Sequence, residues 1–473
     1  MKLSQLLFAA NINDKAQDAN VTFITDDSRK CKPGCIFVCR RNGGEYVGEA
    51  LENGAILVIG EKKVCENCVV VEDAGKTYAV LCREFFERPD ERLRLTAVTG
   101  TNGKTSVSSI LYHILSKNGK KCGLIGTVEN KLDTLRKATL TTPDSFELYS
   151  YLSALCENGI DCCVLEASSQ GLCQHRLYGL KFETGIFTNL TEDHLDYHKT
   201  FENYKKAKLS LFPDCDTAIV NFDDPYAAEF MKAGSRRVIT YSLKSDEADF
   251  TVKNIVCKDD STSFVLVANN LIHSFLLPVR GEIWVRNAVE AIIAAYYSGV
   301  SLDGCASALK SFGGVKGRME TVNVPAPFEV IIDYAHTEDA IRQVLMSLKR
   351  HCKGRLITVF GCGGNREREK RSLMGKAVCS LSDMAVVTSD NPRDEDPLKI
   401  IDDILEGTKQ SRTPVFIKPD RRQAIEFALK KARAGDTVLL AGKGHEEYQL
   451  VSGEKLPFDE REIVKDCLLK LNK

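Results

Sequence analysis

The chain has 473 residues, and its 64 Lys and Arg residues balance 65 Asp and Glu residues to a formal net charge of -1. A hydrophobic share of 43% and a charged share of 27% are typical of a soluble globular protein. The near-neutral charge argues against a surface for nucleic acid. At this length we expect about three domains.

The sequence predicts neither membrane insertion nor export. No apolar run approaches the roughly 18 residues of a membrane helix, and the apolar stretch at residues 6–10 is too short for a signal peptide. The 18 cysteines are therefore interpreted as reduced thiols of a cytoplasmic protein. A zinc site at Cys65 and Cys68 is not favoured, because no second pair follows at zinc spacing.

Strand-like runs alternate with helical periods, which predicts an α/β fold with parallel sheets and crossover helices. A charged, proline-bearing linker at residues 87–92 closes a small leading domain, and a glycine-rich break at 313–318 precedes a new α/β series. The predicted domains are 1–88, 89–321 and 322–473. The predicted strands are 95–99, 121–125, 161–165, 185–188, 217–221, 330–333, 356–360, 384–388 and 437–441.

The strand at residues 95–99 runs into a glycine-punctuated turn that ends in Gly-Lys-Thr, and a helix is predicted over 105–116. Backbone amides freed by Gly100 and Gly103 can face phosphate oxygens, and Lys104 adds a positive charge. The standard P-loop requires glycine at position 98, where this chain has Val98. The pattern favours a phosphate cradle but leaves an ordinary strand-to-helix turn open.

Polar residues follow two further strands of this region. Glu166 directly follows the predicted strand 161–165, and His194 lies in the polar stretch 188–198 at the end of the next predicted strand, 185–188. Carboxyl ends of parallel strands are where α/β sheets bind ligands, and a carboxylate there suits Mg²⁺. Each residue alone is more often a surface group. Beside a phosphate cradle, the two stretches favour a metal–nucleotide site.

In the C-terminal third of the chain, polar residues likewise follow the predicted strands. Polar stretches follow its predicted strands at residues 333–337, 361–366, 390–393 and 442–446. The stretch at 361–366 is not a dinucleotide fingerprint, because Arg366 occupies the last glycine position. We interpret these strand ends as a second half-site, for another substrate, that closes over the first.

Taken together, these motifs and their order resemble the Mur ligases of peptidoglycan synthesis, in particular those that extend the muramoyl-dipeptide. The matching stretches are 27–29 with 33–34, 99–105, 141–143, 166–176, 188–198, 317–320, 333–337, 361–366, 390–393 and 442–446. The resemblance implies a small α/β uridine-nucleotide-binding domain, a central parallel-sheet P-loop-type ATPase domain and a C-terminal Rossmann-like domain for the amino acid.

The resemblance also implies a role for each matching residue. ATP would contact Gly100, Thr101, Asn102, Gly103, Lys104, Thr105, Asn287, Arg318, Asp333 and His336. The UDP-muramoyl-dipeptide would contact Ser28, Thr141, Thr142, Ser168, Gln174 and Arg176. The incoming amino acid would contact Asp390, Asn391, Arg393, Gly442 and Glu446.

Mg²⁺ would be held by Thr105, Glu166, His194 and a carbamylated Lys208, and the implied catalytic residues are Lys104, Lys208, Glu166 and His194. Carbamylation converts an ammonium that would repel Mg²⁺ into a carboxylate-like ligand. From the sequence alone, a plain helix-surface lysine is the favoured interpretation of Lys208. We expect a monomer that acts on small molecules.

The implied reaction joins an amine to the D-glutamyl γ-carboxylate through an acyl phosphate. Arg393 indicates meso-diaminopimelate as the amine, since a guanidinium fits its distal carboxylate and offers lysine only like charge. L-Lysine or another diamino acid remains an alternative, as does a ligase like folylpolyglutamate synthase. A nucleotide-dependent switch without ligase chemistry would belong to a different class.

One departure from the family pattern concerns the adenine side. Trp284, the only tryptophan, stands where the family has an asparagine, although Asn287 is retained. The indole could stack on a base or fill core space, and packing is the favoured interpretation.

Overall fold

The structure is a computed structural model that describes residues 1–13, 19–40, 43–132, 135–138, 140–268 and 271–471. In these residues the strands, β1 to β23 in chain order, are Phe23–Thr25, Cys35–Cys39, Ala55–Gly60, Cys68–Val70, Arg94–Thr99, Cys122–Ile125, Glu129–Lys131, Leu135–Lys137, Cys162–Glu166, Phe182–Phe187, Cys215–Asn221, Arg237–Ser242, Phe250–Cys257, Thr262–Ala268, Leu271–Leu277, Glu320–Thr321, Glu329–Asp333, Leu356–Phe360, Met384–Val387, Val415–Ile417, Thr437–Ala441, Tyr448–Val451 and Glu454–Pro457. The α-helices, α1 to α16, are Leu3–Ala9, Val47–Glu52, Ala74–Phe85, Lys104–Lys117, Ser145–Glu157, Ser169–Cys173, Leu195–His198, Phe201–Leu209, Ala227–Met231, Glu282–Tyr297, Leu302–Leu309, Glu338–Lys349, Glu369–Leu381, Pro397–Glu406, Arg421–Lys431 and Glu460–Leu471. Short 3₁₀ turns lie at Ser28–Lys30, Gly43–Tyr46, Pro89–Arg92 and Phe212–Asp214.

The chain forms two compact units. The first unit comprises Met1–Leu190, Lys205–Asp249 and Glu290–Ser301, and the second unit comprises Thr191–Tyr204, Phe250–Val289 and Leu302–Lys473. Both are α/β, which confirms the predicted fold class. Among the described residues, no helix has the length and apolar character needed to cross a membrane.

The first unit contains two sheets with parallel strands. Strands β1 to β4 pair in chain order, all in parallel. In the larger sheet the strands follow the order β12, β11, β10, β5, β9, β6, β7, β8, parallel from β12 to β6 and antiparallel at β7 and β8. Because β10, β5 and β9 are neighbours, their carboxyl ends place residues 188, 100 and 166 at one edge.

The second unit contains a sheet in the order β16, β17, β21, β18, β19, β20, in which only β16 is antiparallel. Its two faces are buried by different helices, because successive side chains of a strand point to opposite sides. Ile331 packs with residues of α12, α13 and α14, whereas Val330 and Ile332 pack with residues of α15 and α16. All four predicted polar strand ends therefore lie at the carboxyl edge of this sheet.

The predicted strands agree with the observed ones to within a few residues. The runs at 356–360 and 437–441 match β18 and β21, whereas the run at 185–188 is a six-residue strand that begins at Phe182. The helix predicted over 105–116 spans Lys104–Lys117. The antiparallel ribbon β13–β14–β15 was not predicted, although β14 alternates between buried and partly exposed residues as a half-buried strand does.

Candidate functional site

The predicted phosphate cradle lies between β5 and α4 in the first unit. Gly100 and Gly103 have φ values of 148° and 91°, which few residues other than glycine adopt. The turn is fastened to the end of β10, since the Thr101 and Asn102 amides donate to the backbone and side-chain oxygens of Asn189, both at 2.9 Å. The fourteen-residue helix α4 then directs the positive end of its dipole at the turn.

The first glycine of the cradle is required for space as well as for conformation. A Cβ on Gly100 would lie 1.9 Å from Thr188 Oγ1, and that hydroxyl donates to the Asn102 carbonyl at 2.6 Å. The missing glycine at position 98 is explained by the same geometry, because Val98 is a buried residue of β5 that pairs with β9 and β10. The turn begins two residues later than in the standard pattern.

A buried carboxylate stands beside the cradle. Glu166, at the end of β9, is 1% exposed and accepts a hydrogen bond from Thr105 Oγ1 at 3.0 Å. Thr127 donates to the same carboxylate twice, from its amide at 2.9 Å and its hydroxyl at 2.8 Å. Thr127 was not predicted as a site residue, since no motif near it in the sequence indicates a site. The predicted pair Thr105 and Glu166 is brought together.

Two lysines converge on one carbonyl of the cradle. Lys104 Nζ donates to Gly100 O at 2.8 Å, and Lys208 Nζ donates to the same oxygen at 2.7 Å. Lys208 is 1% exposed, so the interpretation as a plain helix-surface lysine, which the sequence alone favoured, is wrong. Its neighbour Lys206 on α8 is exposed. The structure thus places both positive charges at the predicted phosphate position.

The residues predicted for the muramoyl-dipeptide form a connected cluster in the first unit. Thr142 Oγ1 donates to Glu166 O at 2.7 Å and lies 2.9 Å from Ser168 Oγ, which caps helix α6. Arg176 reaches the Thr142 carbonyl at 2.5 Å and the Gln174 side chain at 2.8 Å. Thr141 hydrogen-bonds with Thr127 at 3.0 Å, which joins the cluster to the carboxylate.

Ser28, predicted at the uridine end, is hydrogen-bonded within the leading segment. Its buried hydroxyl donates to Glu49, and its carbonyl accepts from Asn53 at 3.1 Å. The structure therefore places Ser28 in the leading segment of the first unit.

In the second unit, three of the predicted ATP residues, Arg318, Asp333 and His336, lie beside Tyr334. Arg318 lies over the Tyr334 ring at 4.6 Å, and Asp333 accepts from the amides of Met319 and Ala335, both at 2.7 Å. Burial raises the pKa of Asp333, although Arg318 opposes the shift, and burial lowers the pKa of His336.

His445 lies in the same region. Burial, reinforced by the positive charges of Arg318, Arg461 and Lys316, lowers the pKa of His445 to about 3. The imidazole is therefore neutral near pH 7. This positive potential suits an anionic ligand.

The residues predicted for the amino acid form a buried polar network. Asn391 donates from Nδ2 to Glu446 Oε2 at 2.8 Å, and Gly442 approaches Asp390 so closely that a Cβ would lie 2.3 Å from its Oδ2. Lys443, for which the sequence predicted no role, is completely buried and donates to Asn391 Oδ1 at 2.9 Å and Glu446 Oε2 at 3.0 Å.

Arg393 lies at the edge of this network. Its Nη1 donates to Gly364 O at 2.6 Å, and its backbone, with φ of 54°, pairs with strand β22 through Leu450 and Ser452. Burial and the nearby charge of Arg366 lower the pKa of Arg393, which still leaves it cationic. The guanidinium group of Arg366 lies near that of Arg393, which is partly buried, and the two positive charges favour binding of an anionic group of the ligand.

Three further predicted residues lie in the second unit. His194 precedes α7 with φ of 56°, and its Nε2 lies 3.5 Å from Oδ2 of the buried Asp193. Because Glu166 belongs to the first unit, a metal ion bound by both residues stays a prediction. Asn287 is buried in α10. Trp284 is 2% exposed and packs edge-on against Phe312 at 5.8 Å, which supports the packing interpretation.

Replacing Lys443 by methionine is expected to destabilise the protein by about 3–5 kcal/mol, because the Glu446 carboxylate then loses the buried ammonium that lies 3.0 Å from it. Urea unfolding measures the change. The matched control is Lys316→Met, since Lys316 pairs with Glu447 at 2.5 Å but is 39% exposed, and its loss should cost less than about 1 kcal/mol. Equal losses in the two variants would contradict a structural role for the buried ammonium.

A glycine-bounded turn at the carboxyl edge of a parallel sheet, with lysines and a buried carboxylate beside it, defines the class of phosphate-binding α/β proteins. The sequence matches the Mur ligase middle domain over residues 98–295 and the glutamate ligase domain of Mur ligases over 317–444. The chain belongs to the Mur ligase family, as the resemblance implied, and is an ATP-dependent ligase.

Individual relatives agree over the full length. The chain is 40% identical to UDP-N-acetylmuramoyl-L-alanyl-D-glutamate--2,6-diaminopimelate ligase 1 of Clostridium acetobutylicum and 39% identical to the corresponding ligase of Caldanaerobacter subterraneus, with 100% of each chain covered in both cases. A solved structure of a ligase with the same reaction name superposes with a TM-score of 0.70 at 34% identity, over 99% of both chains.

Proposed function

We propose that this protein is the ATP-dependent ligase that adds meso-diaminopimelate to UDP-N-acetylmuramoyl-L-alanyl-D-glutamate in peptidoglycan synthesis. The observation that carries the proposal is the pairing of charges in the second unit. Arg393 and Arg366 can face a carboxylate, while Glu446 and Asp390 can face an ammonium. The distal end of meso-diaminopimelate carries both groups, whereas that of lysine carries only the ammonium. The names of the full-length relatives agree.

In the proposed reaction the D-glutamyl γ-carboxylate attacks the γ-phosphorus of ATP, and the bond to ADP breaks. The amine then attacks the acyl phosphate, inorganic phosphate leaves, and the nitrogen loses a proton as the amide forms. Carboxylate and triphosphate repel each other, so the cradle amides and Lys104 must neutralise charge and hold the reactants in line. The position of the Lys104 ammonium, which donates to Gly100 O at 2.8 Å, supports this role.

The residues beside the cradle fit Mg²⁺. Glu166 offers a buried carboxylate and Thr105 a hydroxyl, and Mg²⁺ is typically bound by one or two carboxylates together with substrate phosphates and water. His194 and a carbamylated Lys208 complete the proposed ligands. When bound, the ion would supply charge neutralisation at the phosphates.

We also propose that the chain has three domains, with the boundaries 1–88, 89–321 and 322–473. We propose further that the protein is a monomer and is located in the cytoplasm.

One coupled assay of phosphate release tests the function. The protein with ATP, Mg²⁺ and the UDP-muramoyl-dipeptide should release phosphate rapidly with meso-diaminopimelate and at least about tenfold more slowly with L-lysine, because lysine lacks the distal carboxylate that Arg393 would contact. Faster turnover with lysine would assign the alternative diamino acid. Turnover only with a folate and glutamate would assign a folylpolyglutamate-synthase-like ligase. ATP binding without any release would indicate a switch.

A further inference from the structure

A partly buried arginine, Arg40, joins the leading segment to the cluster predicted to hold the muramoyl-dipeptide. Asp26 and Arg40 directly follow β1 and β2, which are parallel neighbours, so both side chains lie at one sheet edge. Arg40 Nη1 lies 3.1 Å from Asp26 Oδ2, and the Arg40 side chain is 11% exposed. Its guanidinium also lies 5.6 Å from the ring centroid of buried Tyr78. The Asp26 carboxylate and the Tyr78 ring thus hold the Arg40 guanidinium in one orientation.

The other end of this guanidinium reaches the substrate cluster. Arg40 Nη2 donates to the Gln174 carbonyl at 2.9 Å, across 134 positions of sequence. The Gln174 side chain accepts from Arg176, which in turn donates to Thr142. A continuous chain of hydrogen bonds therefore runs from Asp26 to the residues that are proposed to hold the muramoyl-dipeptide.

The backbone at this point needs an anchor. His175, the residue after Gln174, has φ of 58°, a conformation that non-glycine residues adopt at a cost and keep only when their surroundings hold them. His175 also lies 3.3 Å from Asp73, at the start of α3. Both residues therefore contact the leading segment: the Gln174 carbonyl accepts a hydrogen bond from Arg40, and the His175 ring lies beside Asp73.

We propose that Arg40 is a positioning residue for the UDP-muramoyl-dipeptide, acting through the Gln174 carbonyl to set the Gln174 and Arg176 side chains; this inference rests on the proposed function. Arg40→Met should raise the KM for the UDP-muramoyl-dipeptide at least about tenfold, since a hydrogen bond from a charged group is lost. The kcat and the KM values for ATP and diaminopimelate should change less than about twofold, since Arg40 touches none of their proposed sites.

The matched control is Arg83→Met in the same unit. Arg83 is 20% exposed and pairs with Asp90 and Glu91, so its loss should lower the thermal midpoint similarly without changing the KM for the UDP-muramoyl-dipeptide. Arg40→Lys, which keeps the cation, should restore part of the KM and serves if the methionine variant does not fold. Asp26→Asn should add little to Arg40→Met, because both act through one contact.

The outcomes separate the two proposals. If the unaltered protein releases no phosphate with the UDP-muramoyl-dipeptide and diaminopimelate, the proposed function fails. If that protein is active but Arg40→Met leaves the KM for the UDP-muramoyl-dipeptide unchanged, or changes every KM equally, the positioning role of Arg40 is overturned and the function stands. A raised KM for this substrate alone, with partial rescue by lysine, supports the inference.

Discussion

Lys208→Ala is expected to lower kcat about a hundred- to a thousand-fold, the range typical for removing one preorganised electrostatic group at a reacting centre. Its buried ammonium donates to Gly100 O at 2.7 Å, at the place where the triphosphate is proposed to bind. Steady-state phosphate release with saturating UDP-muramoyl-dipeptide, diaminopimelate and ATP measures the loss.

Three further measurements sharpen this result. Lys206→Ala, on the exposed side of the same helix, should keep normal activity. If Lys208 acts as a carbamate, added short-chain carboxylates should partly rescue Lys208→Ala, whereas Lys208→Arg should stay inactive; the reverse pattern would indicate that the ammonium itself acts. Near-normal activity of Lys208→Ala without additives would contradict any catalytic role for this lysine.

Arg393→Ala is expected to lower kcat/KM for meso-diaminopimelate by roughly 10- to 150-fold, because a buried charge-assisted contact contributes about 1.5–3 kcal/mol. The affinity for ATP should be nearly unchanged, since Arg393 contacts Gly364 and β22, which belong to the proposed amino-acid site. Turnover with L-lysine, which makes no contact through a distal carboxylate, should change far less. The preference for diaminopimelate over lysine should therefore shrink.

The assay needs a variant that loses an arginine of the same unit elsewhere. Arg422 is 47% exposed and pairs with Asp466 at 3.1 Å, so Arg422→Ala should leave both amino-acid rates unchanged. The positive φ of Arg393 does not confound the comparison, because alanine meets the same backbone demand as arginine. Equal losses with diaminopimelate, lysine and ATP would remove the assignment of Arg393 to the distal carboxylate.

The features that could be predicted most closely are those formed by residues adjacent in the chain. The turn from Gly100 to Thr105 could be predicted because a buried strand, two glycines and a helix follow one another directly in the chain. The strand interiors at 356–360 and 437–441 were found because both faces of their sheet are buried, which produces continuous apolar runs. The β13–β15 ribbon was missed, since Leu271, Ile272 and Leu276 of β15 are apolar although they are exposed, which obscures the alternation of apolar and polar residues.

The sequence by itself determined the α/β class, the glycine-bounded turn from Gly100 to Thr105, the polar strand ends and membership of the Mur ligase family. The tertiary structure alone decided the strand order β10, β5, β9, which brings Thr188 and Glu166 to the cradle, and the burial of Lys208 and Lys443. It also joined Arg40 to Gln174. The physical reason is that turns and strands follow from neighbouring residues, whereas burial and long-range contacts depend on how separate segments pack.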